Sequence, residues 1–186
     1  MADPQGEAVA ARLERPVVLV GLMGSGKSCV GRRLAVRLGL PFLDADAEFE
    51  AAAGTTISDY FAQHGEPAFR EGERRVIARL LEGPRCILAT GGGAFCQPET
   101  RDRIKRAAVS IWLRADLDLL VKRTVGRDHR PLLKQGDPRE ILSKLMETRY
   151  PMYAEADITV DTTDDPADLT VAQVLQSLGA YLGVPL

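Results

Sequence analysis

The sequence predicts an α/β fold: one parallel sheet of five strands with helices on both faces. Short apolar runs alternate with helical periodicity along the chain, as expected of strands buried on both faces and joined by crossover helices. The first run, Val17-Val18-Leu19-Val20, also feeds directly into a glycine-rich turn, Gly21-Leu22-Met23-Gly24-Ser25-Gly26-Lys27-Ser28, from which a helix departs. At 186 residues the chain fits a single domain with a sizeable core.

The elements follow in order. After the glycine-rich turn, Val30, Leu34, Ala35 and Leu38 recur at helical spacing, and Gly39 and Pro41 end that helix. Phe42-Leu43 begins a short second strand ending at Asp44-Ala45-Asp46, with a helix through Phe49 towards Gly54. Thr56 to Phe61 reads as a short capped helix, and Glu66 to Glu82 as a longer one with Phe69, Val76, Ile77, Leu80 and Leu81 on its apolar face. Cys86-Ile87-Leu88-Ala89 is the third strand and runs into Gly91-Gly92-Gly93. A charged surface helix (Pro98 to Ala107), a fourth strand (Val109 to Leu113) and a helix capped by Asp116 come next. Gly126 to Pro138 is charged, without periodicity, and reads as a mobile loop. A helix from Arg139 to Tyr153, a fifth strand at Ile158-Thr159-Val160 and a closing helix from Ala167 to Leu182 complete the chain.

Composition narrows the function. With 45% hydrophobic and 27% charged residues and a net charge of −2, nothing favours nucleic acid or an anionic membrane as a partner. No apolar run approaches the roughly 18 residues of a spanning helix. Residues 1–15 lack an apolar signal core and read as a flexible extension rather than a secretory leader, leaving 16–186 as one domain. Cys29, Cys86 and Cys96 are odd in number and lack metal-ligand spacing, which points to free thiols in a reducing cytoplasm. His64 and His129 alone make no zinc site.

Gly21 to Ser28 matches the phosphate-binding spacing of Gly, four residues, Gly, Lys and Ser or Thr. Its glycines let successive N–H groups face an anion, and the helix after it adds its positive end. Lys27 is expected on the β- and γ-phosphates and the Ser28 hydroxyl on Mg²⁺. Asp44 and Asp46 end the second strand. One suits Mg²⁺ held through water and the other suits accepting a hydroxyl proton, unless Asp46 merely caps the helix that follows. Gly91, Gly92 and Gly93 offer backbone donors and close approach, or simply a tight turn. Arg70 and Arg149 lie within helices, where surface ion pairs are the ordinary reading. Arg130, before Pro131 in the loop, is placed to swing over a phosphate.

Together these motifs resemble the shikimate kinase family. The resemblance rests on Gly21 to Ser28, Asp44-Ala45-Asp46, Gly65-Glu66-Pro67-Ala68-Phe69-Arg70, Gly91-Gly92-Gly93, Arg130-Pro131-Leu132-Leu133, and Arg149 before Tyr153, spanning residues 16 to 166. It implies a three-layer P-loop fold like that of the nucleoside monophosphate kinases, with a mobile lid at about 126–138. It also implies transfer of the ATP γ-phosphate to the 3-hydroxyl of shikimate, in a cytoplasmic monomer of the chorismate pathway. Arg70 and Arg149 then bind the shikimate carboxylate, helped by Gly91, Gly92 and Gly93, and Glu73 orients the arginine. Asp46 binds ring hydroxyls and acts as base, Asp44 supports Mg²⁺ through water, and Lys27 and Arg130 stabilise the transferring phosphoryl group. Gly24, Ser25, Gly26, Ser28 and Cys29 line the phosphates, while Arg123 and Pro166 flank adenine.

Two positions depart from the family pattern. Cys29 stands where Thr is common, replacing a good hydroxyl donor to the α-phosphate by a weak thiol. Asp161 to Pro166 is acidic where many relatives carry basic or amide residues. Two other readings compete. A gluconate-kinase-like enzyme is the nearest, though a substrate without a carboxylate would leave Arg70 and Arg149 unexplained. A non-catalytic nucleotide-binding regulator is expected to have lost at least one of Lys27, Ser28, Asp44, Asp46 and Arg130, and all are present.

Overall fold

The computed structural model describes residues 3–125 and 136–185. Its five strands are β1 (Val17–Val20), β2 (Phe42–Asp44), β3 (Ile87–Ala89), β4 (Val109–Arg114) and β5 (Ile158–Asp161). They form one parallel sheet in the order β2-β3-β1-β4-β5. The helices are α1 (Pro4–Arg12), α2 (Lys27–Leu38), α3 (Ala45–Ala53), α4 (Ile57–Glu82), α5 (Pro98–Ala107), α6 (Leu117–Thr124), α7 (Pro138–Tyr153) and α8 (Ala167–Tyr181), with one 3₁₀ turn at Ala94–Cys96.

Alternate residues of a strand face opposite sides, and here both sides are covered. Val18 and Val20 of β1 meet Phe49, Ile77, Leu120 and Leu142 from α3, α4, α6 and α7. Val17 and Leu19 meet Leu34 of α2 and Val174 and Leu178 of α8. All four β1 side chains are buried, which is why the strand reads as an unbroken apolar run. The chain leaves β1 towards β2 and leaves β3 towards β4, on opposite sides of the sheet, so a crevice opens beyond the carboxyl ends of these two neighbours.

Within the expected extension, residues 3–13 form a docked helix with its caps. Asp3 caps α1 and accepts from Gly6 N, and Val9 and Leu13 pack among Leu38, Val174 and Leu178 with no more than 1% exposure. Asp3 pairs with Arg37 at the end of α2, and the Arg85 guanidinium donates to the carbonyls of Ala10 and Leu13. The sequence does carry a start signal here, Asp3 before Pro4 at the first helical position. A short helix that owes its stability to docking leaves only that faint trace.

The two helices expected on either side of Gly65 are both present within α4, separated where Gly65 takes the non-helical φ 82° and ψ 173°. Pro67 then sits in the first turn of the second segment, where its missing N–H costs nothing. The expected lid falls almost wholly on residues 126–135, and with Arg130 lies outside the described residues.

Candidate active site

Two glycine loops meet at the crevice, one after β1 and one after β3, and a Cβ on Gly92 would lie 3.7 Å from the Gly21 carbonyl oxygen. In the first, Gly21, Gly24 and Gly26 have φ of 145°, 83° and 98°, a region closed to most side chains, so this path of the chain needs glycine. Gly26 precedes α2 without a side-chain cap, leaving first-turn N–H groups for an anion. Lys27 Nζ donates to the carbonyls of Gly21 (2.7 Å) and Leu22 (2.9 Å), so the ammonium is held over the loop it follows. The Ser25 hydroxyl is buried inside the loop without a hydrogen-bond partner.

Asp44, not Asp46, is the helix cap. Its Oδ1 accepts from the backbone N–H groups of Asp46 (3.0 Å) and Ala47 (3.2 Å) at the head of α3. Its Oδ2 accepts from the Ser28 hydroxyl at 2.9 Å. A hydroxyl and a carboxylate thus meet at the mouth of the phosphate loop, a hard-oxygen pair suited to Mg²⁺, which keeps most of its shell as water and phosphate oxygen. Among the described residues no group of three His, Cys, Asp or Glu side chains could enclose a metal by itself.

Asp46 is freed from capping and opens onto the crevice. Desolvation by the surrounding protein, then the Asp44 charge, push its pKa up, and Lys27 and Arg70 oppose this.

The loop after β3 meets the same crevice, and each of its glycines touches a different side chain. A Cβ on Gly91 would lie 2.8 Å from Asp46 Oδ1 and 3.2 Å from Glu73 Oε2. One on Gly92 would lie 3.1 Å from Arg149 Nη1, and one on Gly93 only 2.4 Å from Arg70 Nη2. None of the three has positive φ, so space rather than backbone conformation is what glycine supplies here. Arg70 is no surface residue: its guanidinium pairs with Glu73 at 2.8 Å, and Glu73 is 4% exposed. Burial raises the Glu73 pKa against the opposing pull of Arg70. The loop therefore brings together Asp46, the Arg70–Glu73 pair and Arg149, from three separate stretches of the sequence.

On the other side of the phosphate loop, Arg123 of α6 donates to the carbonyls of Gly24 (3.2 Å), Ser25 (3.4 Å) and Thr163 (2.6 Å), and to Thr162 Oγ1 (3.4 Å). It joins the phosphate loop to the turn after β5, which Pro166 closes at the start of α8. The acidic residues of that turn are partnered. Asp161 receives two donors from Arg114, at 2.6 and 3.0 Å, and Asp164 pairs with Lys122. Cys29 lies on the exposed side of α2, where Arg33 Nη1 approaches its sulfur at 2.8 Å. Cys86 is buried and Cys96 half-buried, and burial raises the pKa of both.

One contact had no assignment from sequence. The Tyr153 hydroxyl donates to the Gly92 carbonyl behind the crevice. Its signal was the position itself, four residues after Arg149 and so on the same helix face.

A phosphate loop heading α2, facing a crevice with two arginines and a carboxylate, defines a P-loop phosphotransferase acting on a small anionic acceptor. The family model for shikimate kinase matches residues 23–179. The chain is 70% identical over 174 residues to the shikimate kinase of Paramagnetospirillum magneticum (94% of this chain, 89% of that one). It is 55% identical over 178 residues to that of Rhodopseudomonas palustris (96% and 88%). The chain belongs to the shikimate kinase family.

Among solved structures, shikimate kinase from Acinetobacter baumannii in complex with shikimate superposes with a TM-score of 0.85 at 38% identity, covering 90% of this chain and 95% of that one. A gluconokinase from Sinorhizobium meliloti reaches 0.65 at 21% identity, covering 92% and 95%, and shares the fold.

Proposed function

We propose that this chain transfers the γ-phosphoryl group of ATP to the 3-hydroxyl of shikimate, giving shikimate 3-phosphate and ADP for chorismate and aromatic amino-acid synthesis. The observation that carries the reading is the pair of guanidiniums packed on Gly92 and Gly93, beside the phosphate loop, whose Gly21 carbonyl and Met23 nitrogen would each lie 3.7 Å from a Cβ on Gly92. Planar forks of this kind suit a carboxylate, and beside the phosphate loop they would hold one end of a small acceptor while its hydroxyl faces the phosphates.

In this reading Arg70 and Arg149 bind the shikimate carboxylate, Glu73 holds Arg70 in place, and Gly91 to Gly93 leave room for the ring. Asp46 takes the proton of the 3-hydroxyl as that oxygen bonds to the γ-phosphorus, while the bond to the bridging oxygen breaks and ADP leaves. Backbone N–H groups from Gly24 to Cys29 receive the phosphates, and Lys27 turns from the loop carbonyls to the β- and γ-oxygens. Ser28 and Asp44 would hold Mg²⁺, Asp44 through water, and the cation when bound would supply neutralisation of phosphate charge. Arg130 adds positive charge at the transferring group, and Arg123 and Pro166 flank adenine. Because this reaction is mostly positioning and charge screening, the chain supplies fixed donors rather than a covalent intermediate. The enzyme works as a cytoplasmic monomer. Among the described residues no helix is long and apolar enough to cross a membrane.

A coupled assay of ADP release tests the reading. Release should depend on shikimate and remain at background with gluconate. Gluconate-dependent release would favour the sugar-acid kinase. ATP binding with no release on either substrate would favour the regulatory protein.

A further inference from the structure

Tyr153 ends α7 and is completely buried. Its phenol donates to the Gly92 carbonyl, and the Arg149 guanidinium and the Cys96 thiol also bear on it. Burial above all, then Cys96, hold its pKa far above the ordinary tyrosine value, so it stays protonated and is a permanent donor. The ring is fixed by Trp112 of β4, its centroid 5.8 Å away. Tyr150, one turn earlier, meets Trp112 edge-on at 4.9 Å and donates to the Ala115 carbonyl at 2.5 Å. Two phenols thus dock α7 on backbone carbonyls beyond the ends of β4 and β3, but only Tyr153 reaches the glycine loop.

Arg149 lies one turn before Tyr153 on the same face of α7 and packs where a Gly92 side chain would begin. The distance between α7 and Gly92 therefore sets both where Arg149 stands and which way the Gly92 peptide is turned.

We propose that Tyr153 is a positioning residue for substrate carboxylate recognition: its hydrogen bond to Gly92 holds Arg149 and the glycine loop in the spacing that a carboxylate bridges. This rests on the shikimate kinase reading above. The phenol touches no reacting atom, so its removal should appear in acceptor binding and not in chemistry or nucleotide binding.

The test is Tyr153→Phe, which keeps the ring and removes one hydroxyl. The KM for shikimate should rise roughly three- to thirtyfold, as loss of one buried hydrogen bond implies when the Gly92 carbonyl keeps only the long contact from Cys96 Sγ at 4.0 Å. The kcat at saturating shikimate and the KM for ATP should change less than twofold. Arg149→Lys and the double variant complete a cycle in which the two effects are not additive, because both changes disturb one contact. An analogue with a carboxamide in place of the carboxylate should show little difference between wild type and Tyr153→Phe.

Equal rises in both KM values, an unchanged KM for shikimate, additive effects, or the same loss with the carboxamide would each overturn the proposal. If Tyr153→Phe does not fold, the wild-type enzyme carrying ¹³Cζ-tyrosine serves instead. Shikimate alone should then shift one buried tyrosine resonance that ADP alone leaves in place, and an unmoved resonance overturns the assignment. Failure of the underlying reading is distinct, because the wild type itself would then release no ADP with shikimate.

Discussion

The guanidinium of Arg70 lies against the backbone of Gly93, so that a Cβ there would fall 2.4 Å from Nη2. Gly93 has φ −91° and ψ −9°, a conformation open to alanine. Gly93→Ala should therefore fold and push the end of the Arg70 side chain aside. The expected result is at least a tenfold rise in KM for shikimate with the KM for ATP nearly unchanged, and a lower melting temperature as the displaced guanidinium loosens its pair with buried Glu73. Gly92→Ala, where the contact with Arg149 is 3.1 Å, should act the same way but more weakly. Steady-state kinetics on the two variants checks the order, and a Gly93→Ala enzyme with normal shikimate KM refutes the contact's role.

Arg70→Lys and Arg149→Lys keep a charge but lose the planar fork. Each should raise the KM for shikimate far more than that for ATP. In Arg70→Lys the buried Glu73 also loses its 2.8 Å partner, so this variant alone should lose stability as well. Isothermal titration with shikimate and with ATP, beside thermal melts, separates the two.

Asp46 should set the acid limb of the pH profile. Its pKa is raised by desolvation and by Asp44, and a base acts only when ionised, so activity should fall as pH drops, at a pH above the ordinary carboxylate range. Asp46→Asn should remove that limb and lower kcat by roughly 10²- to 10⁴-fold while ATP still binds. The linkage sign gives a second readout. A raised folded-state pKa means stability is present at low pH and lost as pH rises through that pKa. Asp46→Asn should therefore be slightly more stable than wild type at neutral pH, with the gap closing on acidification. A near-normal kcat in the variant ends the case for Asp46 as base.

Arg123→Met removes the donors that join the carbonyls of Gly24 and Ser25 to Thr162 and Thr163. The KM for ATP should rise on the order of tenfold, the size expected when a charged group loses its hydrogen bonds. The KM for shikimate should stay within a factor of two. Equal effects on both substrates would assign Arg123 to general stability.

Leu13 tests the docking of α1. Leu13→Ala should cost about 2–5 kcal/mol, as large-to-small changes in a packed core do, because Leu13 is 1% exposed. The loss should be visible as a lower melting temperature at unchanged KM values. A melting temperature equal to that of wild type would mean that α1 is undocked in solution.

Sequence alone determined the parts that local chemistry specifies. Buried parallel strands are largely apolar, so Val17–Val20 and Val109 to Leu113 were readable, and Gly24, Gly26, Lys27 and Ser28 follow one local spacing whose glycines take positive φ. Tertiary structure decided what depends on residues distant in the chain. Nothing local marks Arg70 as half-buried, because the backbone it packs against, Gly93, comes from the loop after β3. The division of labour between Asp44 and Asp46 needed the Ser28 contact and the first turn of α3. Pro4–Arg12 became a helix because α2 and α8 offer an apolar seat for Val9 and Leu13. The acidic turn after β5 made sense once Arg114 and Lys122 stood opposite it. In each case the deciding term is burial or charge pairing between distant segments, which exists only once the sheet has set the spacing.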